Sequence, residues 1–166
     1  EKGRDTVYRC FDGSDLPWLA PVGRLDKASE GLLLFSNDPA WAAQITSPES
    51  SLDKTYHVQV NHVVTDSDLQ KMLDGVLIEG ELHAMKQVSR VRAGEKNSWL
   101  EVVLDEGKNR QIRKLLAVLN IEVLRLIRVS IGNLRLGDLK KGEWRLLEAT
   151  EAVNVARVTL HRPGET

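Results

Sequence analysis

"SWLEVVLDEGKNRQIRKLLAVLN" runs from Ser98 to Asn120 and changes its periodicity partway along. "SWLEVVL" reads as a strand, and from Arg110 onward the spacing becomes helical. Ile112, Leu115, Leu116 and Leu119 fall at i, i+3, i+4 and i+7, one apolar stripe suited to burial. Arg110, Arg113 and Lys114 have the same kind of spacing on a different face, at the start of the helix. The segment is therefore a strand–loop–helix unit with a basic helix entry, where backbone N–H groups and fixed positive charge both attract anions.

The flanking segments are read by the same logic. "KTYHVQV" (54–60) alternates, with Tyr56, Val58 and Val60 on one face and His57 and Gln59 on the other, as a half-buried strand does. "FSNDPAWAAQITSP" (35–48) predicts a short helix with Asp38 as N-cap, Pro39 at the first helical position and Pro48 beyond the end. "TDSDLQKMLDG" (65–75) predicts another, with polar starters, Leu69, Met72 and Leu73 at helical spacing, and Gly75 as the stop. "VLIEGELHAMKQVSRVRAG" (76–94) predicts two or three short strands turning near Gly80 and Gly94. "VLRLIRVSIGNLRLGDLKKGEWRLL" (123–147) reads as strands and turns punctuated by Gly132, Gly137 and Gly142. Strands outnumber helices and the order is mixed. The expected class is α+β, with a mixed, largely antiparallel sheet flanked by helices, in one domain over residues 1–166.

With 42% hydrophobic and 28% charged residues, the composition is that of an ordinary globular chain. No apolar run is long enough to span a bilayer, and the opening "EKGRD" has no signal-peptide character. The single cysteine, Cys10, rules out an intramolecular disulfide, so a cytoplasmic location is expected. The net charge of −1 hides a split. Residues 1–106 carry 11 basic and 18 acidic groups, whereas residues 107–145 carry 10 basic and 3 acidic, a local excess of +7. Segregated charge of this kind can become a phosphate-facing surface or simply a solvated helix face.

Several function classes are disfavoured. One cysteine and four scattered histidines give no metal-ligand spacing, since His57 and His62 fit neither strand nor helix geometry. No Walker-type loop or dinucleotide fingerprint is present, and Ser29 lies outside any nucleophile-elbow pattern. Three features remain: the charged turn Gly23-Arg24-Leu25-Asp26, the strand phenol Tyr56, and the basic helix start "GKNRQIRK". Taken singly, the first is better explained as a salt-bridged turn and the second as a packed core aromatic.

Taken together and in order, "GRLDKASEGLLLFSND", "KTYHVQV", "EGKNRQIRKLL" and "LRLIRVSIGNLRLGDLKKGEWRLL" resemble the successive motifs of the RsuA-type ribosomal RNA pseudouridine synthases, from about Arg4 to Leu147. The resemblance implies the pseudouridine synthase fold with a central active-site cleft. It also implies an enzyme that needs no cofactor and no metal, detaches a uracil from its ribose, turns it and rejoins it through C5. Asp26 matches the catalytic aspartate, Tyr56 the tyrosine that stacks on the target base, and Arg113 the basic residue that pairs with the aspartate. Leu115 matches part of the apolar lining. Arg24 matches the arginine that holds the flipped nucleotide or fills its place, and Lys108, Arg110, Lys114 and Arg128 are the expected backbone contacts. The partner implied is ribosomal RNA, 23S rather than 16S, with a monomer as the default state and no membrane association. The family's usual S4 domain and its opening strand with a Lys-Pro pair are expected to be missing from this chain. A non-catalytic RNA-binding or ribosome-assembly module on the same fold is the alternative.

Overall fold

The computed structural model describes residues 11, 13, 15–26, 28–47, 52–105 and 110–160, with side chains to residue 156. Alternation decides the central sheet. In β4 (Lys54–Val60) Tyr56, Val58 and Val60 are buried, and in β8 (Ser98–Leu104) Ser98, Leu100, Val102 and Leu104 are. The two strands pair antiparallel with Tyr56 opposite Val102. On the far side of β4 lies β9 (Val123–Ile131), placing Tyr56 opposite Arg128, and on the far side of β8 lies β7 (Gln87–Ala93). The short β10 (Leu134–Arg135) completes the order β10–β9–β4–β8–β7. Gly132, at φ 57°, makes the β9–β10 turn where a side-chain-bearing residue would be strained.

Two apolar clusters share this sheet. The larger joins Tyr56, Val58, Leu100, Val102 and Leu126 to Ile112, Leu115 and Leu116 of one helix (Arg110–Val118), so the apolar stripe read from the sequence is buried as expected. Met72 adds the helix Asp66–Asp74 to the same core. The smaller cluster gathers Val22, Leu34, Ile45, Leu52, Ile131, Leu134 and Val155. It packs the strands β1 (Ala20–Val22) and β3 (Leu34–Ser36), themselves antiparallel, against the helices Pro39–Thr46 and Ala149–Leu160. Among the described residues the four helices are, in chain order, α1 (Pro39–Thr46), α2 (Asp66–Asp74), α3 (Arg110–Val118) and α4 (Ala149–Leu160). Because β9 supplies Leu126 to one cluster and Ile131 to the other, it is their common spine.

The helix caps follow the local chemistry. Asp38 Oδ1 accepts from Ala40 N at 3.0 Å and Trp41 N at 3.3 Å, with Pro39 at the first position of α1. Thr65 and Asp68 form a reciprocal capping box on α2, which stops at Gly75. The expected turns at Gly80 and Gly94 connect β5 (Val76–Ile78) to β6 (Glu81–His83) and β7 to β8. Helix α4 was not expected from the sequence. Its "ATEAVNVARVTL" is rich in Val and Thr, and it is held by tertiary contacts, among them Trp41 Nε1 donating to the Ala152 carbonyl at 2.9 Å. Among the described residues no helix is long and apolar enough to cross a membrane.

Candidate active site

Asp26 lies on the loop between β1 and a two-residue strand, β2 (Glu30–Gly31), which pairs parallel with β9 through Glu30–Ile127 and Gly31–Arg128. The loop is closed on itself by Ser29 N donating to the Asp26 carbonyl at 2.8 Å. Asp26 is half-buried and, with Ser29 and Glu30, lines a cleft of about 1590 Å³. The same cleft is also lined by Trp41, Trp144 and the cations Arg135, Lys140 and Lys141.

Three arginines, all remote in sequence, hold this loop. Arg113 of α3 donates from Nη2 to the Ala28 carbonyl at 2.8 Å. Arg125 of β9 grips Glu30 with two bonds, 2.8 and 3.1 Å, and this hydrogen bonding holds the Glu30 carboxyl below its ordinary pKa against the opposing effect of burial. Arg128, only 6% exposed, donates from Nε to the Leu32 carbonyl at 2.9 Å and from Nη1 to the Arg24 carbonyl at 3.2 Å.

Each residue singled out in the sequence can now be placed. The direct pairing expected between Arg113 and Asp26 is absent from the contacts of the described residues: the Ala28 carbonyl, two residues further along, takes the guanidinium instead. Arg113 also lines a separate pocket of about 410 Å³ beside Ile121 and Val123. Tyr56 is 1% exposed, so it forms part of the core floor and offers no open stacking face. Burial raises its phenol pKa, and the nearby Arg128 guanidinium partly opposes that rise. Arg128, expected on the RNA-facing surface, is buried, because two loop carbonyls and Tyr56 surround its guanidinium. Burial also lowers the pKa of Arg128 itself. Leu115 is sealed in the core. Arg24, Arg110 and Lys114 are exposed, and Lys108 lies outside the described residues.

Lys54, near the same groups, was not singled out in the sequence. It is half-buried on β4, two positions from Tyr56 and therefore on the same face. Burial lowers its ammonium pKa, and the charge of nearby Arg128 lowers it further. The alternation that buries Tyr56 was the available signal.

Among the described residues, the buried side-chain polar atoms without a hydrogen-bond partner are Ser29 Oγ, Arg113 Nε and Arg128 Nη2. All three border the Asp26 loop. Unpaired buried donors are costly in a folded protein, so their concentration here marks a place built for polar contacts beyond those the fold makes for itself.

Comparison with known proteins bears on the same segments. Residues 12–118 match a family model described as RNA pseudouridylate synthase. The chain is 35% identical to ribosomal large subunit pseudouridine synthase E of Vibrio parahaemolyticus, covering 89% of this chain and 71% of that one. It is 38% identical to the protein of the same name from Xanthomonas campestris pv. campestris, covering 85% and 83%. A solved structure titled "Crystal structure of pseudouridylate synthase" superposes with a TM-score of 0.74 at 31% identity, over 90% of this chain and 64% of the other.

Proposed function

The chain belongs to the RNA pseudouridylate synthase family, and from that premise we propose that it isomerises one uridine of large-subunit (23S) ribosomal RNA to pseudouridine, in the cytoplasm and without a cofactor. The observation that supports this reading most is the Asp26 loop, anchored by Arg113 on one side and Arg128 on the other and bordered by unpaired buried donors. The proposed state is a monomer.

Detaching uracil from ribose develops positive character at C1′, and a carboxylate at the cleft edge either attacks that centre or removes a ribose proton. Isomerisation keeps the base in the site, so a second carboxylic acid is not required. Arg113 holds the loop so that the Asp26 carboxylate faces the ribose, and its unpaired Nε is available to that carboxylate once the nucleotide is seated. Tyr56 contributes its ring to the packed core that supports the base site. With its pKa raised by burial the phenol keeps its proton at neutral pH, which argues against a phenolate that takes the C5 proton. A uridine in folded RNA must leave its stack to enter, and Arg24, which is exposed, fills the vacated position in this reading. Arg110 and Lys114 grip the flanking phosphates.

Chemical mapping of pseudouridines in ribosomal RNA from cells lacking the protein tests the proposal. One large-subunit pseudouridine should disappear and return when the gene is restored. An unchanged large-subunit map would overturn the assignment.

A further inference from the structure

Arg128 takes no part in the chemistry proposed above, yet it is one of the two buried polar or charged side chains among the described residues. The other, Ser98, satisfies its hydroxyl within the fold by donating to the His62 carbonyl and accepting from Val64 N. Arg128 divides its donors between two sides of the site. Nε and Nη1 reach the Leu32 and Arg24 carbonyls, which bracket Asp26 in the chain. Nη2 is buried without a partner, while the guanidinium interacts electrostatically with Tyr56, its cross-strand neighbour.

The backbone at the same position completes the attachment. Leu32 N donates to the Arg128 carbonyl at 2.8 Å. Gly31 sits so close, at φ +114°, that a Cβ there would run into the Arg128 carbonyl. The loop is thus bound to β9 at one residue by both side chain and main chain. Lysine could not reproduce this, because a single ammonium cannot span two carbonyls that a planar guanidinium reaches with separate nitrogens.

We infer that Arg128 is a positioning residue for the reaction: it locks the Asp26 loop to β9, the strand paired beside Tyr56, fixing the carboxylate relative to the base site. This rests on the function proposed above. A misplacement of about 1 Å in a reacting group can cost on the order of 100-fold in rate, so the lock acts on turnover more than on substrate affinity.

The test compares wild type with Arg128→Lys, Gly31→Ala and, as a control for general loss of stability, Val60→Ala at a fully buried position of β4 away from the loop. Steady-state pseudouridine formation on a large-subunit ribosomal RNA fragment is measured beside amide hydrogen exchange. Arg128→Lys should lower kcat about 10- to 100-fold with KM within about threefold, and should speed exchange selectively across residues 24–32. Gly31→Ala, which leaves the Arg128 side chain in place, should give the same pattern. Val60→Ala should lower the melting temperature without selective exchange in 24–32. Wild-type kcat and exchange in Arg128→Lys would overturn the inference, as would a loss of kcat matched by Val60→Ala at equal stability. If the wild type forms no pseudouridine, the functional reading fails, and the exchange data still decide whether Arg128 locks the loop.

Discussion

At the scale of single residues, Tyr56 shows how burial redirects a role. A phenol whose pKa is raised in the folded state contributes stability that is complete below its unfolded value of about 10 and is lost as pH rises through the folded value. Tyr56→Phe should therefore flatten the alkaline limb of the stability curve. If the packed ring is what matters, it should also retain turnover within about tenfold of wild type, whereas general base catalysis is worth about 100- to 10,000-fold. Pseudouridine assays across pH together with alkaline melts measure both, and loss of activity with an unaltered alkaline limb would contradict this account of Tyr56. That Tyr56 is buried was readable from the alternation of "KTYHVQV". Its neighbour Arg128 was not, because cross-strand partners 72 positions apart leave no local trace.

At the scale of elements, legibility followed the range of the interactions. The start of α1 was plain because Asp38 and Pro39 are its cap chemistry, and α2 was plain because Thr65 and Asp68 close a box within four residues. Helix α4 was not, because its Val- and Thr-rich sequence depends on Trp41 and on the second apolar cluster. A partial signal existed at its start, where Glu151 accepts from Glu148 N at 3.0 Å and grips Arg145. The capping box on α2 is testable alone. Bonds from Thr65 and His62 lower the Asp68 pKa, so its contribution is present above about pH 4 and fades as pH falls through the lower folded value. Thr65→Ala should cost about 1 kcal/mol in urea denaturation at pH 7, and that cost should shrink toward pH 3. A pH-independent difference would mean that the hydroxyl acts apart from the carboxylate.

At the scale of the molecule, the +7 excess of residues 107–145 does not form one uniform surface. Arg125 is spent on Glu30, Arg145 on Glu151 and Arg128 on the loop, which leaves Arg110 and Lys114 among the exposed cations of the helix entry. Charge counting marks the segment but cannot separate cations held in ion pairs from exposed ones. Substituting Arg110 or Lys114 by Ala should weaken RNA binding similarly across sequences and reduce the slope of log K against log salt by about 1 each; unchanged slopes would remove them from the phosphate contacts. The fold class and the ordered motifs were legible, whereas the docking of the Asp26 loop onto β9 emerged only in three dimensions. The central claim is that the Asp26 carboxylate performs the isomerisation. The most direct measurement is pseudouridine formation by Asp26→Asn on large-subunit ribosomal RNA, with a thermal melt on the same preparation. The account predicts wild-type melting and no pseudouridine, and a folded Asp26→Asn protein that still makes it would contradict the account.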